Sequence, residues 1–143
     1  HIIEKRTHDE YGEDISPELY LSAIDGRAKS LAVIMDDMNH PIPAYNHWII
    51  WNIPVMEIIP ENIAYGADVA ELGGAVQGRG YGKNRYRGPK PPFNWLHLYQ
   101  FNVYVLDCLL DLSFKARKGN LIAAMQGHIL QKGAQTGYFQ SHR

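Results

Sequence analysis

The hydrophobic residues of this chain fall in short runs that have either strand length or strand alternation. Leu31-Ala32-Val33-Ile34-Met35 follows Ser30 and stops at Asp36-Asp37, which predicts a buried strand over 30–35. His47 to Ile53 is aromatic and β-branched, is stopped by Pro54, and predicts a second strand. The clearest strand runs from His97 to Asp107. His97, Tyr99, Phe101, Val103 and Val105 share one face, while Gln100 and Asn102 fall on the other. The period then changes: over 119–132, Leu121, Ile122, Met125 and Ile129 lie on one helical stripe, with Gly133 as its stop. Residues 1–18 are polar and turn-rich and read as an entry loop. From Tyr65 to Asn94, glycines at 66, 73, 74, 78, 80, 82 and 88 and prolines at 89, 91 and 92 predict a long functional loop without regular structure. Tyr81, Tyr86, Phe93 and Trp95 would order it by packing.

Composition narrows the class. With 143 residues, 45% hydrophobic and 20% charged, the chain reads as a single globular domain over 1–143. It carries no repeat and no apolar run near the roughly 20 residues that span a bilayer. A formal charge of −1 excludes coating nucleic acid or an anionic membrane through net charge, and no nucleic-acid partner is expected. The single cysteine, Cys108, cannot close an internal disulfide, which favours a reducing compartment, and its apolar stretch reads as an inert buried thiol. The opening His1-Ile2-Ile3-Glu4-Lys5-Arg6 turns polar at once, without a secretory pattern. A cytoplasmic location is expected, with a periplasmic mature form left open.

Three constellations carry candidate chemistry. Asp36-Asp37-Met38-Asn39-His40-Pro41 follows a buried strand, where a carboxylate can accept loop N–H groups or orient a histidine; by itself it reads better as a turn. His47 and His97 each open a strand, and either alone reads better as a core histidine. Together with Asp37 they would make a polar pocket able to hold an anion, a metal or a hydrolytic water. Lys83 to Lys90 places four cations in eight residues beside Gly88 and Tyr86, which suits a phosphate or carboxylate, or simply a solvated loop. Catalytic templates are absent: no Gly-x-Ser-x-Gly, Walker loop, Cys-x-x-Cys or His-Glu-x-x-His occurs, and Gly78-Arg79-Gly80-Tyr81-Gly82 lacks a strand-to-helix setting.

In order along the chain, these pieces resemble the bacterial and archaeal Raf-kinase-inhibitor-like branch of the phosphatidylethanolamine-binding protein family. The resemblance rests on Ser30-Leu31-Ala32 running to Asp36-Asp37, on His47-Trp48 running to Asn52-Ile53-Pro54, and on Tyr86-Arg87-Gly88-Pro89-Lys90-Pro91-Pro92. His97-Leu98-Tyr99-Gln100-Phe101 with Leu106-Asp107, and Met125 to Leu130, complete it. It implies a mainly β fold, an antiparallel Greek-key β-sandwich with a C-terminal helix and peripheral short helices. It also implies a pocket for phosphate-like head groups lined by Asp37, Pro41, His47, Tyr86, Gly88, Pro89, His97 and Tyr99, with Tyr45 and Lys90 at the rim. Asn39 stands where the family has a second Asp, Leu98 where it has Arg, and Lys90 where it often has Cys. These departures shift the site towards anions.

The expected function is that of a non-enzymatic binding and regulatory protein without cofactor or resident metal. A small anion is its ligand, and a kinase or protease its candidate protein target. The alternative is a hydrolase or isomerase using a His-Asp pair, with a metal at Asp37, His40 and His47. A homodimer is a further expectation of the resemblance.

Overall fold

The computed structural model describes residues 19–37, 45–60, 63, 66–78 and 96–140, with positions 37, 45, 71, 96–99 and 135–140 given by their backbone. The chain forms β1 (Leu19–Tyr20), β2 (Ser30–Asp37), β3 (Tyr45–Ile53), β4 (Ile58–Ile59), β5 (Asp68–Val69), β6 (Ala75–Gln77), β7 (Leu96–Leu106), α1 (Lys118–Met125) and β8 (Ile129–Gln140). Among the described residues all pairing is antiparallel. One sheet has the order β5-β6-β3-β2-β7-β8, and β1 and β4 make a second, small sheet. Within the large sheet, β7-β2-β3-β6 has the spatial order of a Greek key, because the chain leaves β6 on one side of the β2–β3 pair and returns as β7 on the other.

The alternation in β2 explains why the sheet is covered on both faces. Leu31, Val33 and Met35 join Trp48, Ile50, Phe101, Val103 and Val105 in a core closed by Leu19 of β1 and Ile59 of β4. Ala32 and Ile34 point the other way and join Ile49, Trp51 and Leu106 against Leu121 and Met125 of α1. A continuous apolar run is what a strand buried on both faces needs. Each fully buried aliphatic side chain contributes about 1.5–3 kcal/mol.

Two sequence expectations are corrected. The helix ends at Met125, not near Gly133: Gly127 takes φ 83°, His128 N–H donates to the Met125 carbonyl at 2.9 Å, and the chain turns into β8. Ile122 and Ile129 are consequently exposed, and only Leu121 and Met125 of the expected stripe are buried on the helix. The pairing of β8 with β7 from Leu96↔Gln140 to Leu106↔Ile129 outweighs the helical period. Regular structure also persists into the glycine-rich stretch, as β5, a short 3₁₀ turn at Ala70–Leu72, and β6; Gly73 and Gly74 supply the left-handed turn between them. Residues 1–18 and 79–95 of the expected loops lie outside the described residues.

Candidate functional site

The ends of three strands that carry candidate residues lie side by side. Asp37 closes β2 and pairs with Tyr45 at the start of β3 and with Tyr99 near the start of β7, while Tyr99 pairs with Gly137 of β8. Tyr45, Asp37, Tyr99 and Gly137 thus form one row across four strands. His97 lies two positions further towards the start of β7, opposite Phe139.

His47 reaches this end of the sheet through a β-bulge. Met35 pairs with Trp48 and Asp36 with Asn46, so His47 is the extra residue, and it is 5% exposed. A bulge re-aims side chains and disturbs the ladder, leaving carbonyls that need other donors. Asn46 supplies one: its Nδ2 donates to the Met35 carbonyl at 3.1 Å, the Trp48 carbonyl at 3.3 Å and Asp36 Oδ1 at 3.1 Å.

The opposite face carries a polar cluster. Asp36 has the parity of Ala32 and Ile34, so its carboxylate points towards α1, where Lys118 Nζ lies 2.6 Å from Oδ2. Asp36 is 4% exposed, and Lys118 and Asn46 together satisfy a carboxylate that would otherwise be buried bare. Burial, and then the Asp36 charge, push the Tyr104 phenol above its ordinary range. Gln100 opposes Asp36 in the ladder and accepts from Asn102 Nδ2 at 2.9 Å.

Of the predicted site residues, the structure brings Asp37, Tyr45, His47, His97 and Tyr99 to one sheet end. Pro41, Tyr86, Gly88, Pro89 and Lys90 lie outside the described residues, as does His40. Sequence reading named Asp36 only within the Asp36–Pro41 turn and missed its partners Asn46 and Lys118. The available signal was parity, since Asp36 falls in phase with Ala32 and Ile34 and therefore had to be neutralised from across the fold. Cys108 also differs from expectation: it lies past the end of β7 and is only partly buried. A cleft of about 90 Å³ between Leu21, Ile24, Val103, Val105, Gln131 and Lys132 lies elsewhere. Val103 is six residues from His97, about 20 Å along the strand at roughly 3.3 Å per residue.

Residues 2–140 match the family model for the phosphatidylethanolamine-binding protein. The chain belongs to this family. The phosphatidylethanolamine-binding protein family match agrees with the ordered motifs and extends over nearly all of the sequence. A UPF0098 protein of Pyrococcus abyssi is 42% identical over 131 residues, covering 90% of this chain and 74% of that relative. The chain spans from 45% to 85% of the length of the archaeal relatives it matches. Among solved structures, a phosphatidylethanolamine-binding protein homolog of Chlamydia trachomatis superposes with a TM-score of 0.75 at 32% identity, covering 92% of this chain and 85% of that one. Escherichia coli YbcL, described as a member of the mammalian phosphatidylethanolamine-binding protein family, gives a TM-score of 0.82 at 23% identity, covering 97% and 96%; this likeness bears on the fold. Membership in the phosphatidylethanolamine-binding protein family supports a binding role. No helix among the described residues is long and apolar enough to cross a membrane.

Proposed function

We propose that this chain is a non-enzymatic binding protein whose site for a small phosphate-like anion lies at the sheet end shared by β2, β3 and β7. The observation that carries the reading is the row Tyr45–Asp37–Tyr99, with His97 and the bulged His47 at the same end, in a chain of the phosphatidylethanolamine-binding family. Imidazole N–H groups and a phenol are donors suited to anionic oxygens, and a buried setting strengthens each hydrogen bond. Asp37 would repel an anion directly, so its role is to fix a histidine tautomer. Tyr86, Gly88, Pro89 and Lys90 would close the pocket, with Pro41 beside it. Through the same loop a protein kinase or protease is the candidate macromolecular target.

Calorimetric titration with inorganic phosphate and with phosphoethanolamine tests the site. Wild type is expected to bind both, and His47→Ala and His97→Ala to lose at least about tenfold in affinity, the effect of one charge-assisted hydrogen bond. Equal binding by all three proteins overturns the assignment. Preference for phosphoethanolamine over phosphate would identify a head-group site, and equal affinity a general anion site.

A further inference from the structure

A second constellation lies at the other end of β7. Asp107 and Cys108 follow directly on β7, and His128 stands between the Gly127 turn and β8. The Asp107 N–H donates to the His128 carbonyl at 3.0 Å, and Ser30 Oγ donates to the Cys108 carbonyl at 2.6 Å, so both backbone segments are pinned. His128 Nδ1 lies 2.9 Å from Asp107 Oδ1, and one ligand atom of each of Asp107, Cys108 and His128 lies within 4.8 Å of the other two.

We propose that Asp107, Cys108 and His128 form a three-ligand site for a zinc-class divalent cation, with water as the fourth ligand. Zn–O, Zn–N and Zn–S bonds of about 2.0–2.3 Å in a tetrahedron place donors about 3.3–3.8 Å apart. The carboxylate and imidazole are already closer than that, and the sulfur, about 3.5 Å from a nitrogen or oxygen ligand in such a shell, needs to approach by about 1.3 Å at most, a side-chain rotation. Thiolate, imidazole and carboxylate together suit Zn²⁺ and disfavour Mg²⁺ or Ca²⁺, which take all-oxygen shells. Asp107 and His128 are exposed, which gives the cation a way in and leaves its fourth position to solvent. Arg27 feels the Asp107 charge, but its guanidinium is occupied by Asp25 at 2.8 Å and 3.1 Å. On binding, the Cys108 thiol gives its proton to solvent as the S–metal bond forms, and the metal displaces the direct His128–Asp107 contact. The site is separate from the sheet end of the proposed anion pocket, so either reading can fail without the other.

Cobalt is the probe. Chelator-treated, reduced protein without a polyhistidine tag, titrated with Co²⁺, is expected to take up one equivalent with a sulfur-to-cobalt charge-transfer band, and stoichiometric Zn²⁺ is expected to bleach it. Cys108→Ser should abolish the band, and Cys108→Ser and His128→Gln should each weaken Zn²⁺ binding at least about tenfold. His47→Ala should leave band and affinity unchanged. Absence of the band in wild type, or wild-type Zn²⁺ affinity in both ligand variants, overturns the proposal. Because Cys108 is the only cysteine, wild-type protein gives an independent readout that needs no variant. Zn²⁺, and not Mg²⁺, should slow its alkylation by iodoacetamide; an unchanged rate with Zn²⁺ overturns the site.

Discussion

Asn52 exchanges two hydrogen bonds with the backbone of Leu110: its Oδ1 accepts from the Leu110 N–H at 2.7 Å and its Nδ2 donates to the Leu110 carbonyl at 2.9 Å. Asn52 has φ 56° and sits at a register shift in β3, where Leu31 pairs with Ile53 but Val33 with Ile50. Asn tolerates the left-handed conformation better than other side chains do, and its amide mimics a peptide towards the 107–117 segment. Asn52→Ala should destabilise by about 3 kcal/mol, from two hydrogen bonds at about 1 kcal/mol each plus the left-handed penalty. Asn52→Gly removes that penalty and should lose about 0.5–1 kcal/mol less. Urea denaturation of both variants checks this; equal losses would show that backbone strain plays no part.

The Asp36–Lys118 pair ties the end of the central strand β2 to the first residue of α1. Lys118→Met leaves a buried carboxylate with Asn46 as its remaining named donor. Lys118 keeps 27% of its side chain exposed, which reduces the loss below the 3–5 kcal/mol typical of a dry pair, to about 2 kcal/mol. Asp36→Asn/Lys118→Met should be more stable than the sum of the single losses predicts, since no charge is then left unpaired. A double-mutant cycle by chemical denaturation measures the coupling, and strict additivity would refute it.

How far these relationships could be read beforehand depended on their range. β2, β3 and β7 were legible because they are long and either continuously apolar or alternating. β1, β4, β5 and β6 have only two or three residues each, too few to display a period. β8 was hidden because Gln131, Lys132, Gly133 and Gln135 carry no strand composition; it is a strand because β7 offers it a ladder. Of the candidate site, the strand-end positions of Asp37, His47 and His97 were legible, whereas the row Tyr45–Asp37–Tyr99 is a property of register. Asp36 and Lys118 are 82 positions apart, and local pattern gives no means of pairing them.

A pH dependence follows from Asp25. The Arg27 side chain hydrogen-bonds its carboxylate, the Arg27 N–H adds a second bond at 2.8 Å, and together they hold its pKa at about 2, below the ordinary value of 3.8. A carboxyl whose pKa is lowered by folding stabilises the fold above its unfolded pKa and loses that contribution as pH falls through the folded one. The Tm difference between wild type and Asp25→Asn should therefore be full at pH 5, shrink below pH 4 and vanish below pH 2. The pair is exposed, so the difference should be small. Carboxyl-carbon NMR gives the direct check: an Asp25 midpoint near 4 would refute the pairing in solution.

Gly78 roots the chain that leaves β6, donating its N–H to the Ile49 carbonyl at 3.1 Å. An added Cβ would meet Ile49 Cδ1 at 2.5 Å, Trp51 Cζ3 at 2.6 Å and the Ala116 carbonyl oxygen at 2.8 Å. Glycine is required here for space, to let β3 and the 107–117 segment approach, because the obstacles include an indole and a backbone atom that cannot swing away. Gly78→Ala should lose about 3 kcal/mol, the upper range of overpacking. Ile49→Val deletes the nearest of the three obstructing atoms, so the Gly78→Ala/Ile49→Val double variant should recover part of that loss and no more, with Trp51 and Ala116 still in the way. Thermal melts of the single and double variants read this directly. Full recovery would assign the constraint to Ile49 alone, and a Gly78→Ala protein as stable as wild type would show that β3 and the Ala116 backbone do not close on Gly78 in solution.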